Sequence, residues 1–477
     1  MERILSVKQM RSADAYTIEK LGVPEQVLVE RAGNAVAEEI VKRFKGGRVL
    51  VCVGKGNNGA DGLVVAEILK KIHGFTVYTV NVFNGIFKLF EQPFDIMVDC
   101  IFGTGLDREV EGKYKTAIEK INSSGAYVVS CDIPSGINGD TGTVMGIAVK
   151  ANLTVAIQEY KLGHFLNDGP DYAGEVVAKD IGISVWEDEC YHKINDEDAL
   201  KYFPKLNRNV NKGSFSKCSV IGGSKLYPGS ALLSTNALIA MKMGNGYSNL
   251  AFPDCIYDLV AGLNPECTVI SLKSDGESLV FDKDGLDKLL KYDALAFGMG
   301  VGVSEENYKI ICYLLKNYKG RLLIDADGLN TLSKYGVAIL KEKSCEVVLT
   351  PHVLEFARLI DKEKELVLSN GISLAKEFAT EYKVTILLKS AVSVITDGER
   401  VYLNVTGSSG QAKAGSGDVL SGIILGLISR TDEMFFGAVV GAYLFGKAGE
   451  VVEKRQNQYT MTASDVISAL PEVINAL

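Results

Sequence analysis

Short apolar runs alternate with amphipathic segments along this chain, and the pattern occurs twice. RVLVCVG (48–54), FTVYTVNVF (75–83), FDIMVDCIFG (94–103), AYVVSCDIPSG (126–136) and LTVAIQ (153–158) are β-branched and apolar on both faces. Such strands must be covered on both sides, as in a parallel sheet between helical layers. Between them lie helix-like segments, DGLVVAEILKKIHG (61–74) and KYKTAIEKINSSG (113–125), each closed by glycine. After residue 210 the alternation resumes with KCSVIGG, YSNLAFP, TVISLKS, DALAFGMG, RLLIDADG, EVVLTPH and VTILLKS, then ends in helical patterns around 417–430, 433–455 and 462–475. The expected fold class is α/β, with two α/β layered domains whose sites lie at the C-terminal ends of the strands. At 477 residues the chain exceeds what one core usually supports. The polar stretch ISVWEDECYHKINDEDALKYFPKLNRNV (183–210) separates the two series. The expected domains are 1–205 and 206–477.

Charge and composition exclude some function classes. A net charge of −8 with interspersed signs offers no footprint for nucleic acid. The start, MERILSVKQMR, has no apolar core behind a basic segment, so no signal peptide is expected. The most apolar runs, VLSGIILGLI and FFGAVVGAYLFG, have the length of buried helices, and no membrane partner is expected. None of the nine cysteines falls in a C-x-x-C pair, and several lie inside apolar runs. They read as reduced thiols of a cytoplasmic protein.

The first chemical signal is Gly54-Lys-Gly-Asn-Asn-Gly-Ala-Asp-Gly62, between a strand and a helix. Glycines admit close backbone approach, and the helix start offers free N–H groups to an anion. The spacing is neither G-x-G-x-x-G nor a P-loop. An Asx-stabilised helix start would look the same. Two more strands end in an acid and a glycine turn, Asp99-Cys-Ile-Phe-Gly-Thr-Gly-Leu106 and Asp132-Ile-Pro-Ser-Gly136. Three polar strand ends on one sheet edge are hard to ascribe to turns alone.

In the second half, QAKAGSGDVLSG (411–422) crowds small residues around one acid before a long apolar run. The glycines would form a concave run of N–H groups at a helix start, where phosphate charge is favoured. Asp418 in the first turn is placed to take a proton from a substrate hydroxyl. A plain helix cap is the alternative for an Asp here. The acids Asp325 and Asp327 suit either a water-mediated magnesium–phosphate contact or turn capping. His352, at a strand end, is a ligand candidate or a structural histidine.

These motifs carry a resemblance. The first half, over about 1–200 and including the ERAGNAVAEEI segment (30–40), resembles the NAD(P)H-hydrate epimerase family, whose G-x-G-N-N-G-G-D-G, D-x-x-x-G-T-G-L and D-I-P-S-G motifs occur here in order. The resemblance implies a Rossmann-like domain. It implies that the hydrate binds at Asn57, Asn58, Gly59, Ala60 and Asp61, at Gly103, Thr104, Gly105, Leu106, Asp107, Arg108 and Glu109, and at Asp132. It also implies potassium (K+) at Asn58, Asp99 and Ser135. Ala60 replaces the family's glycine, adding a methyl where backbone and ligand would meet.

The second half, roughly 206–477, resembles the ribokinase-like superfamily, and within it the ADP-dependent NAD(P)H-hydrate dehydratases. The matching segments are KGSFSKCSVIGGS (212–224), YPGSALLS (227–234), GMGVG (298–302), LLIDADGLN (322–330), LTPH (349–352), LLKSA (387–391) and AGSGD (414–418). The implied hydrate contacts are Ser230, Gly302, His352 and Asp418. The implied nucleotide contacts are Lys389, Ser390, Ala391, Val392, Ser393 and Gly417. This chain departs from the family pattern at Val353-Leu354 in place of Pro-Gly, at Met299 in place of Pro, and at Lys413 in place of a small or polar residue.

Together the two resemblances imply a bifunctional metabolite-repair enzyme acting on hydrates of NADH and NADPH, with ADP and Mg2+ as co-substrate in the second domain. The C6 epimers would be interconverted in the first domain, with Asp132 as acid–base group. The second domain would dehydrate the S form, with Asp418 as base. Small-molecule partners and a homo-oligomer are expected. Two alternatives stay open: a ribokinase-type small-molecule kinase, and a dinucleotide-sensing module with one inactive half.

Overall fold

The computed structural model describes residues 1–85, 88–186, 190–203, 208–210, 214–240 and 245–477. The chain divides into two compact units, Arg3–Tyr191 and His192–Leu477 with Met1–Glu2. The boundary expected at 205 lies outside the described residues. The division falls earlier because the polar segment after 191 already belongs to the second core. Ile194 and Ala199 are buried in that core, and Tyr202 stacks on Phe436 with ring centroids 3.9 Å apart.

In the first unit six parallel strands run in the order Phe75–Asn81, Gly47–Val53, Ile96–Cys100, Tyr127–Cys131, Leu153–Ile157 and Glu175–Lys179. Strand alternation divides the apolar residues between two cores. Val49, Val51 and Val53 pack on one side with helix Glu25–Arg43, which supplies Ala32, Val36 and Ile40. Leu50 and Cys52 face the other way, toward Ile118 and Ile121 of helix Gly112–Asn122. Both faces are buried, so the strands read as continuous apolar runs. The strand order reverses beside Gly47–Val53, whose two neighbours are reached by connections on opposite sides. A crevice opens at such a point at the C-terminal strand ends.

In the second unit the strands run Thr268–Leu272, Asn245–Pro253, Ser216–Ile221, Ala294–Phe297, Arg321–Ile324, Glu346–Leu349 and Thr385–Leu388, all parallel. Ser393–Thr396 and Val401–Asn404 then add an antiparallel hairpin. Here the order reverses at Ser216–Ile221 and Ala294–Phe297, placing the Gly222 and Gly298 loops side by side. Helix Ser416–Ile428 is buried along nearly its whole length, between helices Pro228–Ala240 and Met434–Arg455. That explains the apolar run after Asp418. Met434–Arg455, with 22 residues, is long and apolar enough to cross a membrane, but 78% of its most apolar window is buried inside the protein. Its apolarity is accounted for by the core it packs into.

Candidate active sites

A cavity of about 570 Å3 opens at the switch point of the first unit. Asn57, Asn58, Asp61, Gly103, Thr104, Gly105, Leu106, Arg108 and Asp132 line it. Gly59, Ala60, Asp107 and Glu109 are not among its lining residues. Gly59 serves the turn instead: a Cβ there would sit 2.2 Å from the Gly54 carbonyl oxygen, a distance no side chain tolerates. The methyl of Ala60 lies on helix Asn57–Lys70, outside the lining set.

Asp132 has a backbone φ of 69°, a left-handed conformation costly for a residue with a side chain. Two neighbours hold it. The Lys161 ammonium, 1% exposed, donates to Asp132 Oδ1 at 2.5 Å and to the Ile157 carbonyl. His164 Nε2 donates to the Asp132 carbonyl oxygen at 2.8 Å, while its Nδ1 accepts from the Lys161 N–H. Burial, aided by the Lys161 charge, pushes His164 down to about 4, so the ring is neutral and its tautomer is set by these two bonds. Asp132 Oδ2 faces Gly103, 3.3 Å from where a Cβ would stand. Asp14 and Lys161 also line the cavity. Sequence reasoning missed them. EYKLGH follows a strand without a glycine run beside its acid, and Asp14 sits on a helix whose other cavity residues are Met10, Arg11 and Ile18. The available signal was that LTVAIQ is a fourth strand ending on the same edge.

Of the three residues singled out for a cation, Asn58 lines the cavity, while Asp99 and Ser135 are fully buried and outside its lining. Asp99 is fully buried and accepts from Ser130 Oγ, Ser135 Oγ, Ser135 N and Ile101 N. Burial raises it, and these four bonds work against the rise. Among the described residues no basic side chain pairs with it. The Asn58 side chain meets the carbonyl oxygens of Phe102 and Cys131 at 2.6 and 3.2 Å, and its Oδ1 is buried without a partner. A buried carboxylate without a counter-charge, two convergent carbonyls and an orphan amide oxygen form the oxygen-rich set that a hard cation takes.

In the second unit, Gly415 caps helix Ser416–Ile428 with a φ of 87°, and Asp418 stands in the first turn. Its carboxylate meets the Ser230 hydroxyl. Burial, reinforced by the charge of Asp325, pushes Asp418 up to about 7, against the pull of Ser230 and Lys389. Asp325, 1% exposed, is the hub below: Oδ1 accepts from Lys389 Nζ at 2.8 Å and Oδ2 from Ser421 Oγ at 2.6 Å. The next residue, Ala326, holds a φ of 50°, strain of the kind that collects at functional loops. Lys389 Nζ lies 3.6 Å from the position a Cβ would take on Gly417, so its charge sits under the glycine loop. Asp327 is tied to the other loop, accepting from Gly302 N at 2.9 Å. Gly298, at the head of that loop, must be glycine: its φ is 125° and a Cβ would strike the Asp325 carbonyl at 2.1 Å.

His352 caps helix Val353–Leu359: Nδ1 accepts from Leu354 N and Glu355 N, and Glu355 returns the bond to His352 N. Its ring stays half exposed beside Lys389 and Asp325. Val353 and Leu354 begin the helix without disturbing this turn. Ser390 Oγ bonds the Val392 carbonyl, making 389–393 a tight turn between two strands. Lys413 points away from Asp418; its ammonium meets the carbonyls of Gln458, Tyr459 and Met461 and straps the loop to that segment. Met299 is fully buried. Glu355, Ser421 and Asn307, which holds the Val301 and Gly302 carbonyls, were not anticipated. They act underneath the loops, where sequence motifs give no sign.

A family model described as NAD(P)H-hydrate dehydratase matches residues 218–472, and one described as YjeF-related protein N-terminus matches 25–86 and 83–163. The chain is 33% identical to the bifunctional NAD(P)H-hydrate repair enzyme of Thermofilum pendens, over 100% of this chain and 97% of that protein. It is 34% identical to the enzyme of the same name from Archaeoglobus fulgidus, over 98% of each. Among solved structures, an ADP/ATP-dependent NAD(P)H-hydrate dehydratase from Bacillus subtilis, co-crystallised with ATP and Mg2+, superposes with a TM-score of 0.51 at 24% identity, covering 59% of this chain and 97% of that one. A ribokinase-like superfamily protein from Enterococcus faecalis gives 0.52 at 20% identity, covering 61% and 98%. These likenesses show that the second unit shares the fold of those two proteins. With relatives matching end to end and both halves accounted for, the chain belongs to the family of bifunctional NAD(P)H-hydrate repair enzymes.

Proposed function

We propose that the protein restores hydrated nicotinamide cofactors in two steps, one in each unit. In the first, R and S hydrates of NADH and NADPH interconvert at C6, with Asp132 exchanging protons and Lys161 orienting its carboxylate. In the second, ADP phosphorylates the hydroxyl of the S hydrate; loss of phosphate and of a C5 proton then restores the double bond, leaving AMP and phosphate. The observation that carries this reading is Asp418, a buried carboxyl pushed up to about 7 beside a serine hydroxyl and a glycine loop underlain by Lys389. A base with that affinity takes a hydroxyl proton near neutral pH. Mg2+ bound with the nucleotide would neutralise developing phosphate charge. Asp327, which among the described residues bonds through one oxygen alone, suits that task better than Asp325, whose two oxygens are engaged. Full-length similarity to repair enzymes and an undisturbed His352 turn weigh against a kinase or a sensing module.

The test is recovery of NADH from a mixed-epimer hydrate with ADP and, separately, ATP. Complete recovery is expected with ADP, with AMP as product. Recovery that stops when the S epimer is exhausted would remove the epimerase half. A phosphorylated product without NADH would indicate a kinase.

We assign potassium to the set around Asn58, Asp99 and Ser135, where it would offset the Asp99 charge. Asp99→Ala is expected to cut epimerisation at least tenfold and leave ADP-dependent dehydration of the S hydrate unchanged. Replacing K+ by tetramethylammonium should slow epimerisation in the wild type and add little in the variant. Equal wild-type rates with and without K+, together with an active Asp99→Ala, would rule the site out.

A further inference from the structure

We propose that Lys413 is the positioning residue of the glycine loop in the second unit, its ammonium fastening that loop to the turn at 457–461 and so holding it in the shape that takes the phosphates of ADP. The proposal rests on the nucleotide reading above and names what keeps the loop in place. Lys413 stands just before Ala414 and Gly415, and its carbonyl accepts from Ser416 N at 3.3 Å, so it is part of the turn that opens helix Ser416–Ile428. Its ammonium donates to the carbonyls of Tyr459 and Met461, each at 2.7 Å, and of Gln458 at 3.3 Å. An ammonium has three N–H groups, and three carbonyls take them here. Among the described residues Lys413 forms no ion pair, and no other donor meets those three carbonyls. An exposed lysine gains little from one partner, but three convergent carbonyls make a seat for one positive charge.

The two segments that the ammonium joins are unequally anchored. In the turn, Asn457 Oδ1 accepts from Tyr459 N at 2.9 Å and from Thr460 N at 3.1 Å. Met461 is buried in the main core of the unit, and Thr462 caps helix Ala463–Ala476, which packs against Pro228–Ala240 and Met434–Arg455. That side is rigid. The glycine loop is made of small residues, which bring few contacts and lose much freedom on ordering. Gly415 fits against Leu233 and Ala463, whose atoms lie 2.7 and 3.3 Å from where a Cβ would stand. Upstream, Ser409 Oγ bonds the Gln458 side chain and Gln411 Nε2 the Phe445 carbonyl. Lys413 is the last side chain before the glycines to make such a tie. Without it the N–H groups that face a phosphate are free to splay, and misplacement of a binding loop weakens what it binds.

The test measures NADH recovery from the S hydrate by the full chain in sodium buffer, with ADP varied. Lys413→Ala removes the ammonium and leaves the three carbonyls. Its KM for ADP is expected to rise about tenfold or more, the worth of charge-assisted hydrogen bonds lost from the loop. The fall in kcat should be smaller, because Asp418 keeps its Ser230 partner. Ammonium chloride, whose cation fits the vacated seat, should bring the KM of Lys413→Ala back toward the wild-type value. Tetramethylammonium chloride at the same ionic strength has no N–H to donate and should not. Lys413→Arg, which keeps the charge and the donors, should hold the KM near that of the wild type. A Lys413→Ala chain with the wild-type KM overturns the assignment, and so does a raised KM that the two salts leave alike. A wild type that restores NADH no faster with ADP than without it refutes the nucleotide reading instead.

Discussion

Asp418→Asn is expected to lower ADP-dependent dehydration of the S hydrate by about 100-fold or more, with epimerisation untouched. Asparagine keeps the shape and can still bond the Ser230 hydroxyl, but it takes no proton. The pH dependence supplies a second readout. Burial and the neighbouring Asp325 hold Asp418 at about 7, and a base acts only when deprotonated. The wild-type rate should therefore climb with pH to about 7 and level off above it. The residual rate of the variant should show no such rise. Near-normal turnover would leave Asp418 as a helix-capping residue. The geometry already argues against that role, because the cap position belongs to Gly415 and the carboxylate meets Ser230.

The second large effect is expected from Lys389→Met, on stability as well as activity. Lys389 Nζ bonds Asp325 Oδ1 at 2.8 Å, and Asp325 is 1% exposed. Removing the ammonium leaves a buried carboxylate with, among the described residues, Ser421 Oγ and Ala326 N as its remaining donors. Breaking a buried pair from one side costs about 3 kcal/mol or more. The lost charge also lies under Gly417, so nucleotide affinity should fall with stability. Denaturant titration of the variant should show the loss, and adding Asp325→Asn should recover part of the stability while leaving activity low. A single variant as stable as the wild type would mean that water or a rearranged Asp325 already compensates the charge.

Most of the parallel strands were legible because they are buried on both faces and therefore read as unbroken apolar runs; the edge strands Phe75–Asn81 and Thr268–Leu272 are partly exposed but keep the same β-branched, apolar residues. Glu175–Lys179 was missed because it is an edge strand, with partly exposed residues and charges at both ends. The hairpin Ser393–Thr396 and Val401–Asn404 was missed although Asp397-Gly398 is a hairpin turn signal. The three terminal helices fell where their periodicity put them.

The sequence by itself determined which loops would carry chemistry. Glycine runs beside single acids at strand ends announce backbone approach and charge, and both properties are local. Only the tertiary structure decided how those acids differ. Asp132 and Asp61 both stand near the ends of glycine turns, yet one meets Lys161 from a later strand end and the other meets a thiol and two like charges. Asp418 and Asp325 differ in the same way, one near neutral and one paired to Lys389. The protonation state of a carboxyl is set by burial and by charges a few ångströms away, and those neighbours come from segments remote in the chain.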